Sequence, residues 1–265
     1  MNDPIYLDSA QIKNNIPDPL LRENLTIQVV PELSSTHQVL NQQLLNAEIT
    51  LPRVLLAEYQ TAAIGQRAKK WHATRAENIY FSYACMLNKK LRDLEGLSLI
   101  VGLAVARTLS ECGLLDIKVK WPNDVYAQGK KITGILLATD TGHTGQIGVI
   151  ISLGLNVNMT GDANMIQQPW TSMRLMTGKN YDRNKILGIL ITQLSSYLNL
   201  FLENGFEHFL SQWQENDFLA AKTIILKSGE TLCEGIVQGV NSRGHLMLRN
   251  AQGEINAYAS AEIVK

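Results

Sequence analysis

Cysteine is scarce. Cys85, Cys112 and Cys233 are the whole set, odd in number and far apart. No metal-ligand spacing and no disulfide framework can be built from them; they fit a reduced, intracellular setting. A charge of one sign is lacking too: 24 basic residues balance 24 acidic ones. That excludes a general electrostatic attraction to nucleic acid or to a membrane, leaving only local patches. The first residues, "MNDPIYLDSAQ", are polar and acidic, unlike a signal peptide. The longest strongly apolar stretch, "LSLIVGLAVA", is too short to span a bilayer and suits a buried helix. No internal repeat or low-complexity tract is present. These absences lead to the expectation of a cytoplasmic protein with no DNA and no membrane partner.

What is there suffices for a sizeable core: 265 residues, 45% of them hydrophobic. That length allows one large domain, or a large one with a small one. "SSTHQVLNQQLLNA" reads as a helix, with Ser34, Ser35 or Thr36 as cap and Val39, Leu40 and Leu44 as its apolar stripe. "RVLLAEYQ" and "NIYFSYAC" read as buried strands. "EGLSLIVGLAVARTLSECG" is a helix with a broad apolar face, stopped by Gly113. "DIKVKW" alternates strictly, and Pro122 breaks it. "VYAQGKKITGILLAT" predicts a hairpin turning near Gln128-Gly129. A second turn at "TGHTGQ" and the strand "IGVIISLGLNVNM" complete an antiparallel meander. "YDRNKILGILITQLSSYLNLFLENG" is the clearest helix, from an Asp182 cap to Gly205, and "FEHFLSQWQEN" continues as a shorter one. After about residue 220, short strands alternate with Ser-Gly, Arg-Gly and Gln-Gly turns, the pattern of a small all-β barrel. A boundary near 217–221 follows, with an α+β domain before it.

Chemistry concentrates in "KWPNDVYAQGKKITGIL". Lys120, Asn123, Asp124, Lys130 and Lys131 crowd the two ends of the hairpin, and Gly134 permits close backbone approach. Such a cluster suits a phosphate-bearing ligand with a divalent metal, Asp124 lying near Mg²⁺ and a lysine acting as a point charge. An ordinary solvated hairpin with surface lysines is the competing reading of the same residues.

The chain resembles the biotin protein ligases. Their most diagnostic motif, Lys-Trp-Pro-Asn-Asp followed by a hairpin ending in Lys and, three residues on, Gly, stands here as Lys120 to Asp124, Lys131 and Gly134. "SST" before a helix is similar to their Ser-Thr-Asn, with His37 in place of Asn. "AEYQ" matches the strand ending in a biotin-contacting Gln, here Gln60. "GLNVNM" matches the Gly-x-Asn strand end, here Gly154 and Asn156. The resemblance runs over nearly the whole chain. It implies an α+β fold whose mixed, largely antiparallel sheet is of the class II aminoacyl-tRNA synthetase and biotin protein ligase type. It also implies a catalytic domain over 1–217 and an SH3-like C-terminal domain over 218–265.

The resemblance further implies ATP-dependent conversion of biotin to biotinyl-5′-AMP, then transfer to a lysine of a biotin carboxyl carrier domain, with ATP and Mg²⁺ required. Lys131 would be the central catalytic cation. Ser35, Thr36, His37, Gln60, Ile64, Gly65, Gln66, Gly134 and Gly154 would line the biotin site. Arg67, Lys69, Trp71, Asn123, Asp124 and Asn156 would face the nucleotide. A homodimer through the sheet edge is a further expectation. About 33 residues precede the "SST" helix, too few for a winged helix-turn-helix and linker, so repressor activity is expected to be missing.

Departures from the family cluster near the ligand. Its Gly-Arg-Gly-Arg run closes over the adenylate. Here it is Ala63, Ile64, Gly65 and Gln66, followed by Arg67, Ala68, Lys69 and Lys70. Two phosphate-binding arginines are thus replaced by uncharged residues, with Arg67, Lys69 and Lys70 as partial compensation. "HATRAEN" replaces the segment that usually follows the Trp, and Ser152 stands where glycine is common. These changes keep two alternatives open: a biotin-binding homologue that adenylates poorly, and a lipoate-type acyl ligase of the same fold.

Overall fold

A computed structural model describes residues 5–49, 51–141, 145–161, 166 and 168–264. The first residues, for which the sequence suggested no element, form two short helices and a strand: α1 (Ser9–Asn14), α2 (Pro19–Asn24) and β1 (Thr26–Val30). The signals are present in hindsight. Asp8 accepts from Gln11 N at the start of α1, and Asp18 followed by Pro19 opens α2. Next come α3 (Thr36–Leu45), β2 (Arg53–Ala57), β3 (Ile79–Leu87), α4 (Leu97–Glu111), β4 (Ile117–Lys120), β5 (Asp124–Ala127), β6 (Lys130–Asp140) and β7 (Ile147–Leu155). The chain goes on with α5 (Met173–Thr177), α6 (Arg183–Asn204) and α7 (Leu210–Asn216).

Among the described residues, seven strands form one sheet in the order β1-β2-β3-β7-β6-β5-β4. Only β1 and β2 run parallel within it; the other pairs are antiparallel. The expected hairpin turns at Gln128 and Gly129, both at positive φ (48° and 74°), the geometry that matches strand twist in a two-residue turn. The strand expected over "RVLLAEYQ" stops at Ala57, and "FEHFLSQWQEN" divides into a 3₁₀ turn (Phe206–Phe209) and α7. The turn expected at 141–146 lies partly outside the described residues.

Strand alternation gives the sheet two different faces. Phe81, Leu153, Ile135 and Val54 point to the main core, where α4 and α6 pack against each other and against the sheet. The other face carries Leu55, Ala84 and Ile150 beneath Leu40 and Leu44 of α3. Gly148 makes that approach possible, since a Cβ there would sit 2.4 Å from Leu44. Helix α3 covers only one end of this face. The other end, around Gly134 and Gly154, is left for the loop that follows β2.

Helix α6 is, among the described residues, long and apolar enough by composition to cross a membrane. Its stripe of Leu187, Leu190, Leu194 and Leu198 is nevertheless buried in the main core. After α7 the chain forms a second, five-stranded sheet: β8 (Thr223–Ser228), β9 (Thr231–Val240), β10 (Leu246–Arg249), β11 (Ile255–Tyr258) and β12 (Glu262–Ile263). Its turns use Gly229, Gly244 and Gly253 at positive φ. Its apolar residues Leu226, Val237, Leu246 and Leu248 join the main core rather than a separate one. Trp121 Nε1 donates to Gly244 O across the junction.

A buried ion pair ties the N-terminal segment to this frame. Arg183 Nη1 lies 2.7 Å from Glu58 Oε2, with both side chains almost wholly buried. Arg183 also donates to the carbonyls of Asn78 and Ile5, and Leu7 N donates to Glu58. Removing one partner strands the other charge in the core, at a cost of about 3–5 kcal/mol. Arg183→Ala is therefore expected to lower unfolding stability by about that amount in urea titration, with Glu58→Leu/Arg183→Met recovering much of it. A loss of less than about 1 kcal/mol would show the pair to be dispensable.

Candidate functional site

The open end of the sheet face is built from three neighbouring strands. Register pairs Asp124 of β5 with Gly134 of β6, and Gly134 with Gly154 of β7. A bulge between Val125 and Tyr126 sets Lys131 opposite Tyr126, re-aiming the side chain as bulges do. Lys131 and Asp124 meet as a result, Nζ 2.7 Å from Oδ1, each side chain mostly buried. The contact is one of charge; Oδ1 has no well-aligned hydrogen bond among the described residues. Main-chain bonds fix Lys131 on both sides, from its own N to Pro169 O and from Thr171 N to its carbonyl. They bring Trp170 beside it, a residue the sequence reading missed because it follows a stretch without periodicity.

Two glycines make the floor. The Trp71 indole lies on them so closely that a Cβ would come within 2.8 Å of the ring at Gly134 and 2.5 Å at Gly154. Lys131 Nζ stands 5.6 Å from the centroid of the same ring, within cation–π range. Among the described residues Trp71 Nε1 is buried without a hydrogen-bond partner, at the Gly154 end of the ring and away from Lys131 at the Gly134 end. At the rim, Lys120 lies over the Tyr126 ring. Burial pulls the Lys120 ammonium below its ordinary value; Asp124 opposes this, while Lys131 and Lys222 add to it.

The other end of the floor is polar. Ser35 caps α3, as expected, and Thr36 follows it. Gln60 Oε1 accepts from Thr36 N at 2.6 Å and from Thr36 Oγ1 at 3.1 Å. Ser82 donates to Thr36 Oγ1 at 2.8 Å and lies 2.8 Å from Ser152 Oγ. His37 Nδ1 lies 2.8 Å from Ser152 Oγ. Burial holds the His37 imidazole below the usual histidine value. The sequence reading did not include Ser82. Its place on the inward side of β3 and the pairing of Ser82 with Ser152 are what bring it here.

The loop between these ends closes on itself. Trp71 N donates to Ala63 O, Gly65 N to Lys69 O, and Ile64 bridges Lys70. Gln66 begins a 3₁₀ turn in which Arg67 adopts a left-handed conformation, φ 56°. The compensation expected of Arg67 and Lys69 takes another course. Lys69 Nζ lies 2.7 Å and Arg67 Nη1 3.8 Å from the carboxylate of Glu262 on β12, and Lys69 holds that carboxyl below the usual range. These two cations therefore face the second sheet. Asn123 and Asn156 spend their amides on main chain: Asn123 Nδ2 donates to Ile135 O and Asn156 Nδ2 to Thr171 O. They fix the strand ends that hold Asp124 and Trp170.

The magnesium ion implied by the sequence can be tested on the donor set. Among the described residues no three His, Cys, Asp or Glu side chains converge. One carboxylate, Asp124, fits an ion that arrives on a polyphosphate and keeps its waters, not an all-protein cage.

Residues 29–158 match the Biotin/lipoate A/B protein ligase family. The bifunctional ligase/repressor BirA of Escherichia coli is 32% identical over 240 residues, covering 90% of this chain and 73% of that protein. The biotin--[acetyl-CoA-carboxylase] ligase of Paracoccus denitrificans is 28% identical over 206 residues, covering 75% of this chain and 85% of that one. The biotin protein ligase of Aquifex aeolicus, solved with biotin and ATP, superposes with a TM-score of 0.77 at 28% identity, over 90% of this chain and 97% of the other. With the motif, the sheet and a likeness over 90% of the chain in agreement, the chain belongs to the biotin/lipoate A/B protein ligase family.

Proposed function

We propose that this chain is a biotin protein ligase: it activates biotin with ATP and transfers the acyl group to a lysine of a biotin carboxyl carrier domain. The observation that carries the reading is the position of Lys131. Its ammonium stands where the glycine floor, ending in Gln60 and Thr36, meets the Asp124 rim.

In the first step a carboxylate oxygen of biotin attacks the α-phosphorus of ATP. An acyl O–P bond forms, the bond to the β-phosphate oxygen breaks, and pyrophosphate leaves. In the second, the neutral amine of the acceptor lysine attacks the acyl carbon, the nitrogen gives up one proton to solvent as the amide forms, and AMP departs with the oxygen it gained. Both steps gather negative charge on oxygens, so a fixed cation acts mainly in the transition state. Lys131 supplies that cation, and Asp124 holds it in place beforehand. The rings of Trp71 and Trp170 provide flat surfaces for an acyl tail and a base. Asp124 is the carboxylate that would hold a magnesium ion carried in on the nucleotide, and such an ion would neutralise polyphosphate charge.

A hydrogen-bonding head end favours biotin over a lipoate-type acid, whose dithiolane ring has no strong donor or acceptor. In the 63–70 loop Ile64 and Gln66 are neutral and Arg67 and Lys69 pair with Glu262, so that among the described residues Lys70 is the loop cation outside an ion pair. This supports weak retention of the adenylate, not its absence. Cys85, Cys112 and Cys233 are unpaired, which supports the intracellular setting.

With biotin, ATP and magnesium, the purified protein is expected to label a carrier domain. Lys131→Ala should cut that rate by a factor of about 10² or more, while labelling that continues unabated would remove Lys131 from the mechanism. Gln66→Arg restores a cation to the loop. It should slow release of biotinyl-5′-AMP, measured by filter retention, by about tenfold, the value of one charge-assisted bond. An unchanged release rate would disprove this account of the loop.

A further inference from the structure

Past Asp124 the site continues to the edge of the sheet. Lys120 of β4 pairs with Asp124, Asp124 with Gly134 and Gly134 with Gly154. Residues paired across strands share a face, so these four stand in one line. Trp71 covers the glycines and Lys131 meets Asp124. Lys120 is the outer end of the line, one strand spacing or about 4.8 Å past Asp124. A second lysine joins it from the segment that leads into the second sheet. Lys222 Nζ lies 3.5 Å from the centroid of the Phe218 ring, the Phe218 and Tyr126 rings stack with centroids 4.5 Å apart, and Lys120 Nζ lies 5.2 Å from the Tyr126 centroid. Phe218 N donates to Val119 O, which ties that segment to β4. Two ammoniums thus rest on one aromatic pair.

Neither ammonium forms an ion pair among the described residues. The carboxylate next to Lys120 is that of Asp124, and it meets Lys131. Asp217, near Lys222 in the chain, is buried and accepts from Leu219 N. A ring face attracts an ammonium without neutralising it, so both charges stay available. Burial lowers the Lys120 ammonium most, Asp124 raises it, and Lys131 and Lys222 lower it further, as like charges do within mutual reach. Lys222 is exposed and Lys120 half-buried. An open rim with three lysines and one paired carboxylate suits a hydrated polyanion, not an apolar ligand. Arg67 and Lys69, in contrast, are spent on Glu262.

We propose that Lys120 and Lys222 form the subsite that receives the β- and γ-phosphates of ATP and steadies the departing pyrophosphate. The assignment rests on the biotin ligase reading and adds to it the residues at the leaving-group end. One end of the floor is the hydrogen-bonded group of Gln60 and Thr36, so with the α-phosphorus at Lys131 a triphosphate runs the other way, toward the edge strand. As the acyl O–P bond forms, the electron pair of the breaking bond passes to the oxygen that joined the α- and β-phosphates. The new charge therefore falls on the pyrophosphate, where a fixed cation lowers the barrier. Ammoniums held on ring faces turn to those oxygens with no ion pair to break first. The segment entering the second sheet, through Lys222, is by this assignment part of the nucleotide site.

The test separates the half-reaction that contains pyrophosphate from the one that does not. Adenylation is followed by pyrophosphate release at varied ATP, with added inorganic pyrophosphate as inhibitor. Transfer is started from synthetic biotinyl-5′-AMP and a carrier domain, without ATP. Both are run on the unsubstituted protein, Lys120→Met, Lys222→Met and Lys222→Arg. Each Met variant is expected to raise the KM for ATP and the inhibition constant of pyrophosphate by about tenfold, with Lys222→Arg within about threefold and transfer from the adenylate within about twofold throughout. Equal loss in both half-reactions would reduce the lysines to a structural role and overturn the proposal. Unchanged constants for ATP and pyrophosphate would overturn it too, leaving the ligase reading intact. Should Lys120→Met misfold, the exposed Lys222 decides alone. If the unsubstituted protein transfers from the adenylate but releases no pyrophosphate, calorimetry with inorganic pyrophosphate and magnesium decides: about tenfold weaker binding to Lys222→Met supports the subsite, and equal binding overturns it. If the unsubstituted protein does neither half-reaction, the ligase reading falls first and this one with it.

Discussion

An ammonium held 2.7 Å from a carboxylate on a mostly buried sheet rim is the constraint on which the rest of the site depends. A lone lysine there would be free to swing out to water. Asp124 prevents this, yet the pair is imperfect, because among the described residues the carboxylate oxygen lacks an aligned hydrogen bond. That leaves an ammonium positioned and available to incoming anions. The bulge at Val125/Tyr126, the bonds from Lys131 to the 169–171 segment and the amide of Asn123 on β6 all serve to keep it there. The glycine floor has a related purpose. A methyl group at Gly134 or Gly154 would collide with Trp71, so the indole and any acyl chain beside it depend on two missing side chains.

Much of this was legible because hairpins convert spacing into register. With β5 and β6 placed around Gln128-Gly129, Asp124 and Gly134 fall on one face by pairing, whereas Lys131, an odd step from Gly134, meets Asp124 only through the bulge, which spacing does not announce. Helix α6 was legible for a similar reason, having a cap, a stripe and a terminal glycine. What escaped were contacts between distant segments. Ser82 reaches Ser152 only because β3 and β7 pair, two strands whose adjacency no local signal announces. Trp170 enters through a loop with no pattern. The N-terminal helices carry caps but too few apolar residues to assert themselves, and their place is set by the Glu58–Arg183 pair.

The loop shows how a distant segment can pair with charges that composition places near the site. Counting charges suggested that Arg67 and Lys69 stand in for lost arginines. The fold instead turns them to Glu262, which lies 193 residues beyond Lys69. A charge near a site acts there only if no nearer partner claims it, and surface pairs of this kind are weak and screened by salt. The second sheet thus communicates with the loop, while its apolar face shares the core of the first.

The central claim is that one ammonium serves both reactants. Its most direct test is the ¹⁵N resonance of Lys131 Nζ, assigned by comparison with Lys131→Arg in lysine-labelled protein. The resonance should move when biotin is added and move again when a non-hydrolysable ATP analogue follows, because the acyl carboxylate and the α-phosphate reach the same group in turn. A signal that ignores both ligands while calorimetry shows them bound would contradict the account.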